Sequence, residues 1–201
     1  MYNVKLMKQE ISQAVELANL KVRNEFKTAF KEIYQDSVVP YEFPKVLKIK
    51  LHKLTKATDL DNVLSGEGFY IILTDLELEG NVCTLTYSNG FKAIYRGECR
   101  TTRKRLQSHL FNKCYKSQYE ERKRNYLNKD KKAGKEFYEP FWSACLKVGS
   151  ENGLDINELV DESNWIVIVH NMIGSSQEVR VQAELAFDEV FGKPIASREK
   201  T

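Results

Sequence analysis

Two compact apolar runs, Gly68-Phe-Tyr-Ile-Ile-Leu-Thr and Trp165-Ile-Val-Ile-Val-His, constrain this chain most. Their β-branched and aromatic content reads as buried strand. Between them, Val82-Cys-Thr-Leu-Thr-Tyr and Phe91-Lys-Ala-Ile-Tyr flank the turn signal Ser88-Asn89-Gly90, which predicts a tight antiparallel hairpin. Thr101 offers an N-cap for a helix with Leu106 and Leu110 on its inner face. Ser175 or Ser176 opens a last helix that runs to about Phe191 and stops at Gly192 and Pro194. Its buried stripe is expected at Val179, Ala183, Ala186 and Val190, with Glu184, Phe187 and Phe191 in the flanking row. Hairpin, helix, strand and helix in this order indicate an α/β fold.

Ahead of this core, Met7, Ile11, Ala14, Val15, Ala18, Val22, Phe26, Phe30 and Ile33 recur at close to helical period. They predict one long helix, or two broken near Asn19. Asp36 to Pro44, with Pro40 and Pro44, reads as a linker, and the alternation from Val46 to Leu54 as a strand or a short basic arm. Residues 1–60 are therefore expected to be an N-terminal helical extension or arm, and residues 61–201 the main domain.

The N-terminus carries charges where a secretory leader needs apolar residues, and no run reaches the length of a membrane span. Both features point to a cytoplasmic protein without a membrane partner. Cys83, Cys99, Cys114 and Cys145 are scattered without close pairing, which argues for reduced thiols over a zinc site.

The net charge of +3 conceals a segregation: Lys92–Lys135 holds 15 Lys/Arg against 4 Asp/Glu, and the other residues hold 16 basic and 24 acidic groups. A concentrated basic region on an otherwise acidic chain suits a polyanion, although a solvated basic helix has the same composition. Residues 111–139 interleave this charge with Tyr115, Tyr119, Tyr126, Phe137 and Tyr138, and predict a helix ending near Ala133-Gly134. Lys113, Lys116, Arg122, Lys123, Arg124, Lys131 and Lys132 are its candidate phosphate contacts.

Gly68-Phe69-Tyr70 and Tyr95-Arg96-Gly97, followed by Arg105 eight residues after Gly97 and His109 four later, resemble the motifs of the GIY-YIG nucleases. A family glutamate lies on the last helix, where Glu184 stands. The resemblance covers about residues 66–198. It implies a small central, mainly antiparallel sheet flanked by helices. It also implies catalytic roles for Tyr70, Tyr95, Arg105, His109 and Glu184, with Gly68 and Gly97 as motif glycines. By that resemblance the chain is a stand-alone, restriction-type endonuclease that hydrolyses DNA, double-stranded DNA first, with magnesium or manganese held by Glu184. Residues 111–139 would be a basic insertion, and a homodimer stays open. Arg105 would contact the scissile phosphate, Tyr70 would orient or deprotonate the attacking water beside Tyr95, and His109 would shuttle a proton or bind phosphate. The spacing of Arg105 and His109 places both on one helical face.

Two positions depart from the family. Ala196 and Ser197 stand where an asparagine is usual, and Glu98 follows the motif glycine. A catalytically impaired nucleic-acid-binding module on the same fold is therefore the alternative. Each residue also has a plain structural reading: Tyr70 and Tyr95 as core aromatics, Arg105 as a solvated arginine, His109 as a satisfied histidine, and Glu184 paired with Arg180.

Overall fold

A computed structural model describes residues 4–88, 90–125, 127–128, 146, 148, 154–158 and 163–197. Its centre is a five-stranded sheet in the order β1-β5-β2-β4-β3. The strands are β1 (Ile49–Leu54), β2 (Gly68–Thr74), β3 (Thr86–Tyr87), β4 (Phe91–Cys99) and β5 (Trp165–Asn171), and every named pairing is antiparallel. β2 is buried along its whole length. It is apolar up to Thr74 because helices cover both sheet faces, so alternate residues enter two cores.

On one face Phe69, Ile71, Leu73, Ala93, Ile166 and Ile168 meet α1 (Val4–Ile33) and α4 (Gln177–Phe191). On the other face Tyr70, Ile72, Val167 and Val169 meet Leu106 and Leu110 of α2 (Thr102–Leu110), beside Leu60 and Val63. α3 (Asn112–Asn125) continues from α2. The expected small antiparallel sheet with flanking helices and an N-terminal helix is thus present.

α1 runs unbroken through Asn19. Its C-terminal part is fixed by Phe30, whose ring packs on Phe69, Phe187 and Phe191, and by Arg23 and Lys27, which pair with Glu189 at 3.1 and 2.7 Å. Met7, Ile11, Val15, Leu17 and Leu20, nearer its N-terminus, are exposed. The segment expected as an arm or a strand is strand β1. It hydrogen-bonds β5, so residues from the first sixty belong to the main sheet.

The hairpin is shorter than its sequence suggests. Only Thr86 and Tyr87 form β3; Leu85 O still accepts Ala93 N–H at 2.9 Å, but Thr84 N–H turns away to Phe191 O at 2.7 Å. Gly90 takes a positive φ in the turn, and Asn89 lies outside the described residues.

The basic stretch begins differently too. Phe111, fully buried, separates α2 from α3, and Lys113 N–H donates to Asp155 Oδ2 at 2.9 Å at the start of α3. The expected end near Ala133-Gly134 lies outside the described residues, with Lys131 and Lys132; of the Arg122 side chain nothing is described.

Candidate active site

β4 pairs with β3 only through Phe91 and Lys92, so from Tyr95 to Cys99 it is a sheet edge. Groups from the two faces can meet around that edge. Strand alternation sets what each face contributes: Tyr95 and Gly97 look toward α2, Arg96 and Glu98 toward α4.

On the α2 face Tyr70 lies directly across the ladder from Gly97. The rings of Tyr70 and Tyr95 stack with centroids 6.0 Å apart and planes 22° from parallel. Gly97 makes this possible. A Cβ there would sit 2.7 Å from Tyr70 Oη and 2.8 Å from Tyr95 Cε1. Gly68 has a similar role one row away, where a Cβ would lie 2.8 Å from Thr102 Oγ1 of α2 and 3.0 Å from His170 O. Thr102 is anchored there by donating to Gly66 O at 2.9 Å. Thr101, the expected N-cap, makes no side-chain cap bond; its N–H points to Cys99 Sγ instead.

α2 brings in Arg105 and His109, one turn apart on one face. Tyr70 Oη and His109 Nε2 share a hydrogen bond of 2.9 Å, and the His109 ring lies 4.6 Å from that of Tyr95. Tyr95 and Arg105 also act on the Tyr70 phenol through their charge. Burial pushes the Tyr70 phenol well above its ordinary range, with Arg105 opposing only in part. Burial raises Tyr95 as well, Arg105 opposing it and Glu184 adding to it. Arg105 loses hydration, yet the two tyrosines outweigh that loss and hold it more firmly protonated. Tyr70 is 0 % exposed, whereas Tyr95 and Arg105 are only partly covered. The last two form the accessible lip of the cluster. Tyr70, expected to orient or deprotonate water, is a neutral phenol behind that lip.

Glu184 comes from the opposite face and is 4 % exposed. α4 is rotated from expectation: Arg180, Ala183, Glu184, Ala186, Phe187 and Phe191 are buried, while Val179 and Val190 keep some exposure. Ser176 provides the cap, accepting from Val179 N–H. Glu98 N–H, on the β4 edge, donates to Glu184 Oε1 at 2.9 Å, and Arg96 Nη1 stands 3.5 Å from the same oxygen. Arg96 is itself gripped by Asp188 through two bonds of 3.0 and 2.6 Å. Hydrogen bonding to Asp188 and the charge of Glu184 outweigh its desolvation and raise its affinity for the proton.

Arg180 pairs not with Glu184 but with Glu98, at 3.0 Å, and donates to Ser175 O at 2.6 Å. The Glu98 charge is thereby balanced on the α4 side. Ser197 also reaches the edge, its Oγ accepting Arg96 N–H at 3.0 Å, next to the bond from Ala196 N–H to Ile94 O. Sequence reasoning gave no role to Arg96 or Asp188. The signal was available in strand alternation, since Arg96 and Glu98 must face α4 if Tyr95 and Gly97 face α2.

The donor set suits magnesium better than zinc. Among the described residues no three His, Cys, Asp or Glu side chains gather as a cage. Magnesium, however, keeps several waters and needs only one or two carboxylates. Glu184 is the carboxylate whose charge reaches Tyr95. Of the basic candidates, Lys116, Lys123 and Arg124 are on α3 with Lys113 at its start, beyond α2. No described helix is long and apolar enough to cross a membrane. Comparison with family models, curated proteins and solved structures returned no match.

Proposed function

We propose that this chain is a divalent-metal-dependent endonuclease of the GIY-YIG type, hydrolysing phosphodiester bonds in DNA. The observation that supports this best is the grouping of five motif residues from β2, β4, α2 and α4 about one strand edge. A core aromatic pair needs neither the partly exposed cation of Arg105 nor a buried carboxylate brought round from the other face.

Arg105 binds the scissile phosphate with its planar fork and stabilises the charge that builds up in the transition state. The water oxygen bonds phosphorus as the bond to the leaving sugar oxygen breaks. Tyr95 orients that water at the lip. Both phenols are held neutral, so neither is the base: the water's proton leaves to solvent, the leaving oxygen takes one from solvent, and His109 holds Tyr70 in place through their shared hydrogen bond. Glu184 would hold a magnesium ion, which supplies positive charge to the phosphoryl oxygens when bound. The basic face of α2 and α3 supplies the grip on DNA.

The second reading, a binding module without catalysis, is favoured by one contact: Arg96 already sits 3.5 Å from Glu184 and competes with a cation. Incubating supercoiled plasmid with the purified protein separates the two. The endonuclease nicks it with magnesium and stops in EDTA; cleavage that persists in EDTA removes the metal mechanism, and binding without nicking favours the module.

A further inference from the structure

The first candidate outside the site is a second basic strip. From Lys45 to Thr58 the chain carries Lys45, Lys48, Lys50, Lys53, Lys56 and His52 without a single Asp or Glu. All five lysines are exposed. They follow β1, the edge strand farthest from β4, and lie outside the basic segment that sequence reasoning assigned to phosphate binding.

Register ties part of this strip to the site. Lys50 pairs with Val169, Val169 with Tyr70, and Tyr70 with Gly97, so one cross-strand row joins β1 to the tyrosine cluster. Residues paired across antiparallel strands share a face, so Lys50 belongs to the α2 face, as Tyr70 does. Lys48 lies just beyond the same end of the sheet, its carbonyl accepting Asn171 N–H at 3.1 Å. Lys53 and Lys56 lie toward the other end.

With strands about 4.8 Å apart, β1 is about 10 Å from β2, which corresponds to about three nucleotide steps of 3.4 Å. The first turn of α2 borders this path, since Thr102 covers Gly68 beside Val169. Arg100, just before α2, and Lys104, in its first turn, are exposed. Lys48 also holds a left-handed backbone at φ 52°, where glycine or asparagine would be less strained.

We infer that Lys48 and Lys50 are phosphate contacts for the DNA strand leaving the active site, which crosses the sheet end from Arg105 over β5 to the β1 edge. The inference rests on the nuclease reading above and adds a path for the substrate. Lysines also guard edge strands against self-pairing, so the test must tell a contact from a guard.

Affinity of the full-length protein for a fluorescent DNA duplex, measured across salt concentrations in EDTA, provides that test. Lys48→Gln/Lys50→Gln should flatten the slope of log affinity against log salt by about 1.8, so that binding near 0.1 M salt weakens by roughly sixtyfold where the lines meet near 1 M. Lys53→Gln/Lys56→Gln, at the far end of β1 and just beyond it, should change both far less. Lys48→Arg/Lys50→Arg should bind as wild type, which also guards against a folding artefact. An unchanged slope with increased self-association would make the strip an edge guard and overturn the inference. Equal effects of the two Gln pairs would overturn it as well, since they report diffuse charge rather than a path. So would lysine-dependent binding to anionic vesicles with DNA affinity intact. If these lysines are silent while reversals on α2 and α3 abolish binding, the inference fails and the nuclease reading stands. A wild type with no affinity for DNA removes both.

Discussion

Placing a methyl group at Gly97 sets one added carbon against both tyrosine rings at once. Gly97 is not among the glycines with positive φ, so its backbone would accept alanine; space alone forbids it. The new Cβ would stand 2.7 and 2.8 Å from Tyr70 Oη and Cζ and 2.8 Å from Tyr95 Cε1. The rings would have to give way by about 0.6 Å to restore ordinary contact, and overpacking of this kind costs about 1–3 kcal/mol. For a chain of this size that lowers the melting temperature by about 3–10 °C. A misplacement approaching 1 Å in an active site lowers turnover by about a hundredfold. Gly97→Ala should therefore melt early by calorimetry and nick plasmid about a hundred times more slowly below its melting range. Gly68→Ala is the contrast: its clashes are with Thr102 and His170 O, so it should lose stability with a much smaller effect on rate. A Gly97→Ala protein with wild-type melting and turnover would refute the reasoning.

Arg180→Ala should destabilise the fold by about 1–3 kcal/mol in urea titration, because it removes the guanidinium that pairs with Glu98 and bonds Ser175 O; an effect below about 0.5 kcal/mol would make that pair inconsequential. Acid should weaken the attachment of α1. His170 is held down to about pKa 3 by burial, against Tyr34 at 2.6 Å. Its folded pKa lies below the unfolded value, so its contribution is complete above about pH 6.5 and is lost as pH falls toward 3, reaching about 2 kcal/mol at pH 5. His170→Gln should flatten the stability curve between pH 7 and pH 5, and an unaltered slope would contradict this.

The parts of the fold legible in sequence were those whose burial is periodic. β2 and β5 announce themselves as apolar runs, and α4 is framed by Ser176 and Gly192. What sequence obscured depends on partners far along the chain. Nothing local says that Phe111 ends α2, because Asp155 and Leu154 supply the groups that secure the break. Nor does the apolar count on α4 show its rotation, since buried ion pairs with β4 take Arg180 and Glu184 inward. Strand register sets Tyr70 across from Gly97, and α2 brings His109 to within a hydrogen bond of Tyr70. The division of labour between the two tyrosines was not legible: Tyr70 and Tyr95 look alike in sequence, and only burial separates an inner phenol from one at the lip.

The central claim is catalysis at this cluster, and single-turnover plasmid cleavage with DNA affinity read in the same samples tests it most directly. With magnesium, the wild type should nick supercoiled plasmid. Arg105→Ala and Glu184→Gln should stay folded, bind DNA within a few-fold of wild type and cleave at least about a hundredfold more slowly. A wild type that binds DNA and never nicks it, or variants that lose activity only by unfolding, would contradict the account.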